Sequence, residues 1–280
     1  MPTLELDDAT IAYQDSGAPP GRPDAPTIVF GHGLLFSGRM FHAQVAALSS
    51  AYRCVTVDWR GQGDSPPARG GGYGMDTLFG DAVALIEHLD VAPVHWVGLS
   101  MGGFVGQRLA ARRGALLRSV TLLDTSPDRE PLRSAVEDVA MAAIYRLLGP
   151  GLLKAPVLKL MFGPTFLRDP ANRPTLDEFI DRLGRCDRAG MRRAIIAVAT
   201  RKPVYEELER ITVPTLVVTG ADDRPTPPAK ARRIAERIPG ARLEIVPQSG
   251  HSSTVEQPET ITRLIREFVE TVDSGRAARL

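Results

Sequence analysis

Short, uninterrupted apolar runs alternate with helix-length stretches through the first 125 residues, and this rhythm constrains the fold more than any other feature. Thr27–Phe30, Arg53–Val57, Val94–Leu99 and Ser119–Leu123 are such runs. A strand covered on one face alternates apolar with polar residues, whereas a continuous run belongs to a strand covered on both. Helical stretches lie between them, near Met40–Leu48, Met75–Leu89 and Met101–Arg112. Strand–helix–strand alternation requires crossover connections, and so a mostly parallel sheet with helices against its faces. Two short alternating runs at the start, Thr3–Leu6 and Thr10–Gln14, predict an antiparallel hairpin.

After Thr125 the rhythm changes. From Ser134 to Arg210 only helical periodicity appears: Val136, Val139, Ala140, Ala143, Ile144 and Leu147 make one apolar face, and Leu176, Phe179, Ile180 and Leu183 another. Gly149-Pro150-Gly151, Gly163-Pro164 and Arg173-Pro174 punctuate these helices. Strand signals resume at Thr215–Thr219 and Arg242–Val246, with a helix between them and a closing helix from Pro258. The expected organisation is an α/β core of residues 1–125 and 211–280, interrupted by a helical cap of residues 126–210. That interruption is too long to be a plain connection. Arg69–Gly74 reads as a short flexible loop, and the chain has no internal repeat.

Composition narrows the function classes. The 280 residues include 34 basic and 33 acidic side chains, a formal net charge of +1. The arginines are interleaved with Asp and Glu, the pattern of a solvated surface and not of a nucleic-acid footprint. The two cysteines, Cys54 and Cys186, lie far apart, as expected for reduced thiols in a cytoplasmic protein. The N-terminus shows no basic segment followed by an apolar run, so no signal peptide is expected. The longest apolar stretches fall short of the roughly eighteen residues a spanning helix needs.

The chemistry centres on Gly98-Leu99-Ser100-Met101-Gly102, which follows one strand signal and opens the helix at Met101. A serine on so sharp a strand-to-helix turn takes a strained backbone conformation, and only small residues two positions away avoid a clash. Its hydroxyl then stands at the carboxyl edge of the sheet, over a helix N-terminus that favours developing negative charge. A serine needs a base. Of the five histidines, His88 lies in a helix pattern, His95 in a strand and His42 in the first helix. His32 sits in the loop after Thr27–Phe30 and is expected to brace it. His251 follows the last strand in PQSGHSS, at the sheet edge shared with Ser100, and is the expected base.

The acid that orients the histidine is expected at the end of a strand, where Asp124, Asp222 and Asp223 are the candidates. Asp223, the third residue past Gly220, is preferred, and the order Ser100, Asp223, His251 suits this architecture. Two backbone donors for an oxyanion are expected at Met101 and, in the loop Gly31-His32-Gly33-Leu34-Leu35, at Leu34. Asp58–Ser65 reads as a rigid turn with an internal Asp–Arg contact.

The HG loop, DWRGQGDS, GLSMGG, GADD and SGHSSTVEQPE stand in order along nearly the whole chain. With them the sequence resembles the α/β-hydrolase superfamily, most of all the branch of 3-oxoadipate enol-lactonases, small carboxylesterases and cofactor-free haloperoxidases. The resemblance implies an eight-stranded sheet, a helical cap over the active site and no cofactor. Serine at position 100, where haloalkane dehalogenases and epoxide hydrolases carry aspartate, disfavours those activities. GHGLLFSG lacks the extra glycines of the HGGG esterases and of enzymes that cleave carbon–carbon bonds in ring-fission products.

On these residues the chain is expected to be a serine hydrolase of a small, largely apolar ester or lactone, working through an acyl-enzyme on Ser100. Leu35, Phe36, Leu160, Met161 and Phe162 are candidate pocket residues, although the same stripe also fits plain core packing. No metal site is expected, and a homo-oligomer is compatible with the sequence. The alternatives are an acyltransferase or perhydrolase with the same triad, or a ligand receptor on this fold with slow hydrolysis.

Overall fold

The computed structural model describes residues 1–70, 72–149 and 151–275. Gly71 of the Arg69–Gly74 loop and Pro150 of the Gly149-Pro150-Gly151 punctuation lie outside the described residues. The strands are β1 (Thr3–Glu5), β2 (Thr10–Asp15), β3 (Thr27–Gly31), β4 (Arg53–Val57), β5 (Val94–Leu99), β6 (Leu117–Leu123), β7 (Thr215–Gly220) and β8 (Arg242–Val246). They form one eight-stranded sheet in the order β1-β2-β4-β3-β5-β6-β7-β8. The opening pair is antiparallel and β2 joins β4 antiparallel; every later pairing is parallel.

The central strands are apolar throughout because helices cover both faces. Strand pleating sends Ile28, Phe30, Val97, Leu99, Leu216 and Val218 to one side and Val29, Trp96 and Val217 to the other. The first side packs against α1 (His42–Leu48) and α11 (Pro258–Asp273), through Leu48, Ile261, Leu264, Ile265 and Phe268. The second packs against α2 (Met75–His88), α3 (Met101–Arg112) and α9 (Pro228–Arg237).

Between β6 and β7 the described chain is helical: α4 (Leu132–Leu148), α5 (Lys154–Met161), α6 (Pro164–Arg168), α7 (Arg173–Arg185) and α8 (Arg188–Ala199), then a 3₁₀ turn at Tyr205–Arg210. In α7, Leu176, Phe179 and Leu183 are buried, as their spacing predicts. The face expected on α4 is reversed. Val136 is 62% exposed and Leu147 75%, while Met141, Ala142 and Tyr145 turn inward. The physical reason is that α4 packs on α8 through its small and aromatic residues, and Tyr145 Oη donates to Leu183 O at 2.7 Å.

The Asp58–Ser65 turn is tightly held, but not by an internal Asp–Arg pair. Gly61 and Gly63 take positive φ, and the Asp58 carboxylate accepts the N–H groups of Gly38 and Asp64 at 2.6 and 2.8 Å. Arg60 turns away instead, to Asp81 (Nε to Oδ2, 2.8 Å) and Asp8 (2.9 Å). A guanidinium that is only 2% exposed needs carboxylates at this range, and Asp58 is already committed.

Two glycines of opposite character test this packing. A Cβ on Gly102 would lie 1.9 Å from the Gly31 carbonyl oxygen, so Gly102→Ala is expected to destabilise by about 3 kcal/mol or more. Gly80, exposed inside α2, has open space around it, and Gly80→Ala is expected to stabilise by roughly 0.5–1 kcal/mol. Urea midpoints of the two variants against the parent measure both.

Candidate active site

Ser100 stands between β5 and α3 with φ 50° and ψ −107°, the left-handed strain expected of a sharp strand-to-helix turn. The surroundings hold it there. Its N–H donates to Leu123 O at 2.8 Å, and Thr125 Oγ1 donates to its carbonyl at 2.9 Å. A side chain on Gly98 would meet Gly102 O at 2.2 Å, so the turn tolerates only glycine at both flanks.

The loop from β8 to α10 (Ser253–Glu256) brings His251 over this serine. His251 Nε2 lies 2.9 Å from Ser100 Oγ, and Nδ1 lies 3.1 and 3.0 Å from the two oxygens of Asp223, in the turn after β7. A carboxylate can only accept, so Nδ1–H donates to Asp223 and Nε2 is left to accept from the serine hydroxyl. Asp223 is itself oriented by Thr226, whose N–H and hydroxyl donate to it at 2.9 and 2.8 Å. All three members are buried.

Of the other candidate acids, Asp222 uses its N–H to reach Ser249 O and is partly exposed. Asp124, at the end of β6 with φ 45°, is wholly buried, but its oxygens are committed to Gly220 N–H (2.8 Å) and the Ser253 hydroxyl. Burial, with the Asp223 charge adding, holds the Asp124 carboxyl well above the usual carboxylate range. For His251, burial pulls the imidazole down. Asp223, with Asp124 and Glu256 behind it, more than reverses this, and the pKa sits above its ordinary 6.5.

The loop after β3 runs beside the serine: a Cβ on Gly33 would come 3.4 Å from Ser100 Cβ. His32 is buried, with Nδ1 2.7 Å from Gly33 O and Nε2 accepting from Trp59 N–H at 3.1 Å. Burial lowers its pKa, so it braces the loop as a neutral ring. In this loop Leu35 has φ 71° and gives its N–H to Gln62 Oε1 at 3.1 Å. Leu34, the residue before it, lines the same cavity as Ser100. Met101, as the first residue of α3, has an N–H with no partner within the helix.

A cavity of about 290 Å³ opens over Ser100 and His251. Leu35, Leu160 and Met161 line it; Phe36 and Phe162 instead line a neighbouring cavity of about 320 Å³. The reason is ring packing: Phe36 sits 4.6 Å from Phe179 and 6.2 Å from Phe162, centroid to centroid. The lining of the first cavity also includes the polar Glu130, Glu137, Asp138 and Arg201. Arg201 pairs with Glu130 at 2.6 Å, while burial, with Glu130 adding, lifts Asp138 to about 6. Thr226, Gln62, Tyr145 and Glu256 are contributors that the sequence reading missed. Only Thr226 carries a local signal, a hydroxyl three residues after an aspartate. Among the described residues no group of three or more His, Cys, Asp or Glu side chains is placed to hold a metal ion. No helix among them is long and apolar enough to cross a membrane.

Residues 28–264 match the alpha/beta hydrolase family, and the chain belongs to it. A 3-oxoadipate enol-lactonase 2 of Acinetobacter baylyi is 28% identical over 269 residues, 96% of each chain. RutD of Pseudomonas syringae, provisionally named a carbamate hydrolase, is 30% identical over 250 residues, 89% of this chain and 95% of its own length. The crystal structure of an enol-lactonase from Burkholderia xenovorans superposes with a TM-score of 0.87 at 29% identity, covering 96% of this chain and all of the other. The eight-stranded sheet with its flanking helices is thus the α/β-hydrolase fold.

The acid limb of activity is expected to fall above pH 6.5. A base must be neutral to accept the serine proton, and a raised His251 pKa moves its loss of function to higher pH; a pH–rate profile of kcat/KM measures it. Asp223→Asn is expected to lower turnover by about four orders of magnitude with the melting temperature little changed. Asp222→Asn is expected to cost at most about tenfold, measured side by side.

Proposed function

We propose that this chain is a serine hydrolase that cleaves a carboxylic ester or lactone of a small, largely apolar substrate. The observation that carries this reading is the unbroken hydrogen-bonded series from Asp223 through His251 to Ser100, opening on a closed-in, mostly apolar cavity. Ser100 Oγ attacks the acyl carbon as His251 Nε2 takes its proton, and Asp223 stabilises the imidazolium. The oxyanion rests on the Leu34 and Met101 N–H groups. His251 then protonates the leaving oxygen, which departs as an alcohol or, from a lactone, stays tethered to the acyl group. A water, deprotonated by the same histidine, releases the acid and restores the serine.

The insertion of residues 126–210 acts as the cap, supplying Met141, Val157, Leu160 and Met161 to the acyl side of the cavity. A volume near 290 Å³ suits a small acyl group. The enol-lactonase relative supports the substrate class, and esters and lactones need the same groups in the same places.

Short p-nitrophenyl esters and a panel of lactones are the substrates to assay. Multiple rapid turnovers are expected, and Ser100→Ala is expected to lower them at least about 10³-fold. Mass spectrometry after treatment with an organophosphonate should place the adduct on Ser100. A Ser100→Ala variant with full activity would overturn the reading, and a single burst without turnover would point to a receptor.

A further inference from the structure

One buried carboxylate beside the base has no part in the steps above. Glu256, at the end of α10, is 8% exposed and accepts three backbone N–H groups. Its Oε2 receives Gly250 at 2.9 Å and Gly163 at 2.8 Å, and its Oε1 receives Ser252 at 3.1 Å. Gly250 and Ser252 are the residues on either side of His251. Gly163 belongs to the helical insertion, two residues past Met161 of the cavity wall. A second tie runs alongside, from Ser252 Oγ to Met161 O at 2.7 Å.

The two glycines explain how the segments come so close. A Cβ on Gly250 would lie 2.3 Å from Gly163 N and 2.7 Å from its Cα; one on Gly163 would lie 2.8 Å from Gly250 N and 2.9 Å from Glu256 Oε2. Neither residue has a positive φ, so glycine is needed here for the backbone approach itself. The carboxylate fills the remaining space and gathers the three donors that approach.

We propose that Glu256 is a positioning residue that locks the catalytic base and the wall of the acyl pocket into one unit. This rests on the reading of Ser100 and His251 as nucleophile and base. Because one carboxylate grips both peptides around His251 and the insertion at Gly163, a displaced wall displaces the imidazole. A misplacement of about 1 Å at a reacting group costs about a hundredfold in rate. The titratable groups acting on His251 are Asp223 after β7, Asp124 at the end of β6, and Glu256 itself. Burial raises the Glu256 pKa, and the three N–H groups oppose that rise.

The test compares the full-length parent with Glu256→Gln, Glu256→Asp and Gly163→Ala. The readouts are the rate of Ser100 labelling by a fluorophosphonate from pH 5 to 9, kcat and KM for p-nitrophenyl butyrate, and melting temperature. Glu256→Gln is expected to slow labelling and lower kcat by about 30–100-fold, with the acid limb moved to lower pH because a negative charge near His251 is gone. Glu256→Asp, with the charge kept and the reach shortened, is expected to lose rate while its acid limb stays in place. Gly163→Ala wedges the segments apart without touching Ser100 and is expected to slow labelling at least about tenfold; it decides the matter if Glu256→Gln does not fold. Parental labelling rates and an unmoved acid limb in Glu256→Gln, or parental rates in Gly163→Ala, would overturn the inference while leaving the proposed function intact. A parent chain that is not labelled at Ser100 overturns both.

Discussion

The close contact between the end of β3 and the first turn of α3 is the constraint on which the site depends. Gly102 N–H donates to His32 O at 3.1 Å, and the Gly31 carbonyl occupies the space where any Gly102 side chain would stand. Trp96 Nε1 closes the arrangement on Gly102 O, and Trp59 Nε1 does so on His32 O. Two adjacent strands thus deliver their loops already pinned to each other. Under the proposed function, donors held this way need no reorganisation when charge develops on a substrate oxygen, and the strain at Ser100 is sustained by contacts on every side.

Electrostatics sharpen the same arrangement. Asp124, Asp223 and Glu256 are all buried around one imidazole, yet each carboxylate has its own donors. Their division of labour follows from geometry. Asp124 is spent on Gly220 and Ser253, Glu256 on three backbone amides, and Asp223, held by Thr226, is the one that also accepts from His251 Nδ1. The Asp223 carboxylate on His251 Nδ1 is the main charge that favours the imidazolium over the neutral ring.

How much of this is legible in the sequence depends on whether a feature is local. The central strands are legible because burial on both faces leaves a continuous apolar run, and β4 and β5 span the residues that two such runs mark. The Ser100 turn is legible because strand, glycines and helix are contiguous. The α4 stripe misleads, since periodicity gives a helix an apolar side but not the direction in which it points; there the helix turns Glu137, Asp138 and Met141 to the cavity. Arg60 misleads for a related reason: its partners Asp81 and Asp8 are distant in sequence, while the nearer Asp58 is taken by backbone amides. Glu256 stands inside the SGHSSTVEQPE motif, but its role is not legible there, because Gly163 joins Gly250 and Ser252 around it only after folding.

The walls of the cavity come mostly from a single stretch of chain, Glu130–Arg201, while Ser100, Asp223 and His251 stand on loops at the sheet edge. Under the proposed function, recognition and chemistry are therefore written in separate segments. Residues of the insertion that line the cavity can drift, altering which molecules enter, without touching the groups around the serine. The freedom stops at Met161 and Gly163, where the insertion is fastened to the base loop. Under the proposed function, a lineage diversifying its substrates on this scaffold would vary the cavity-lining positions of α4, α8 and the earlier part of α5 and hold that short stretch fixed.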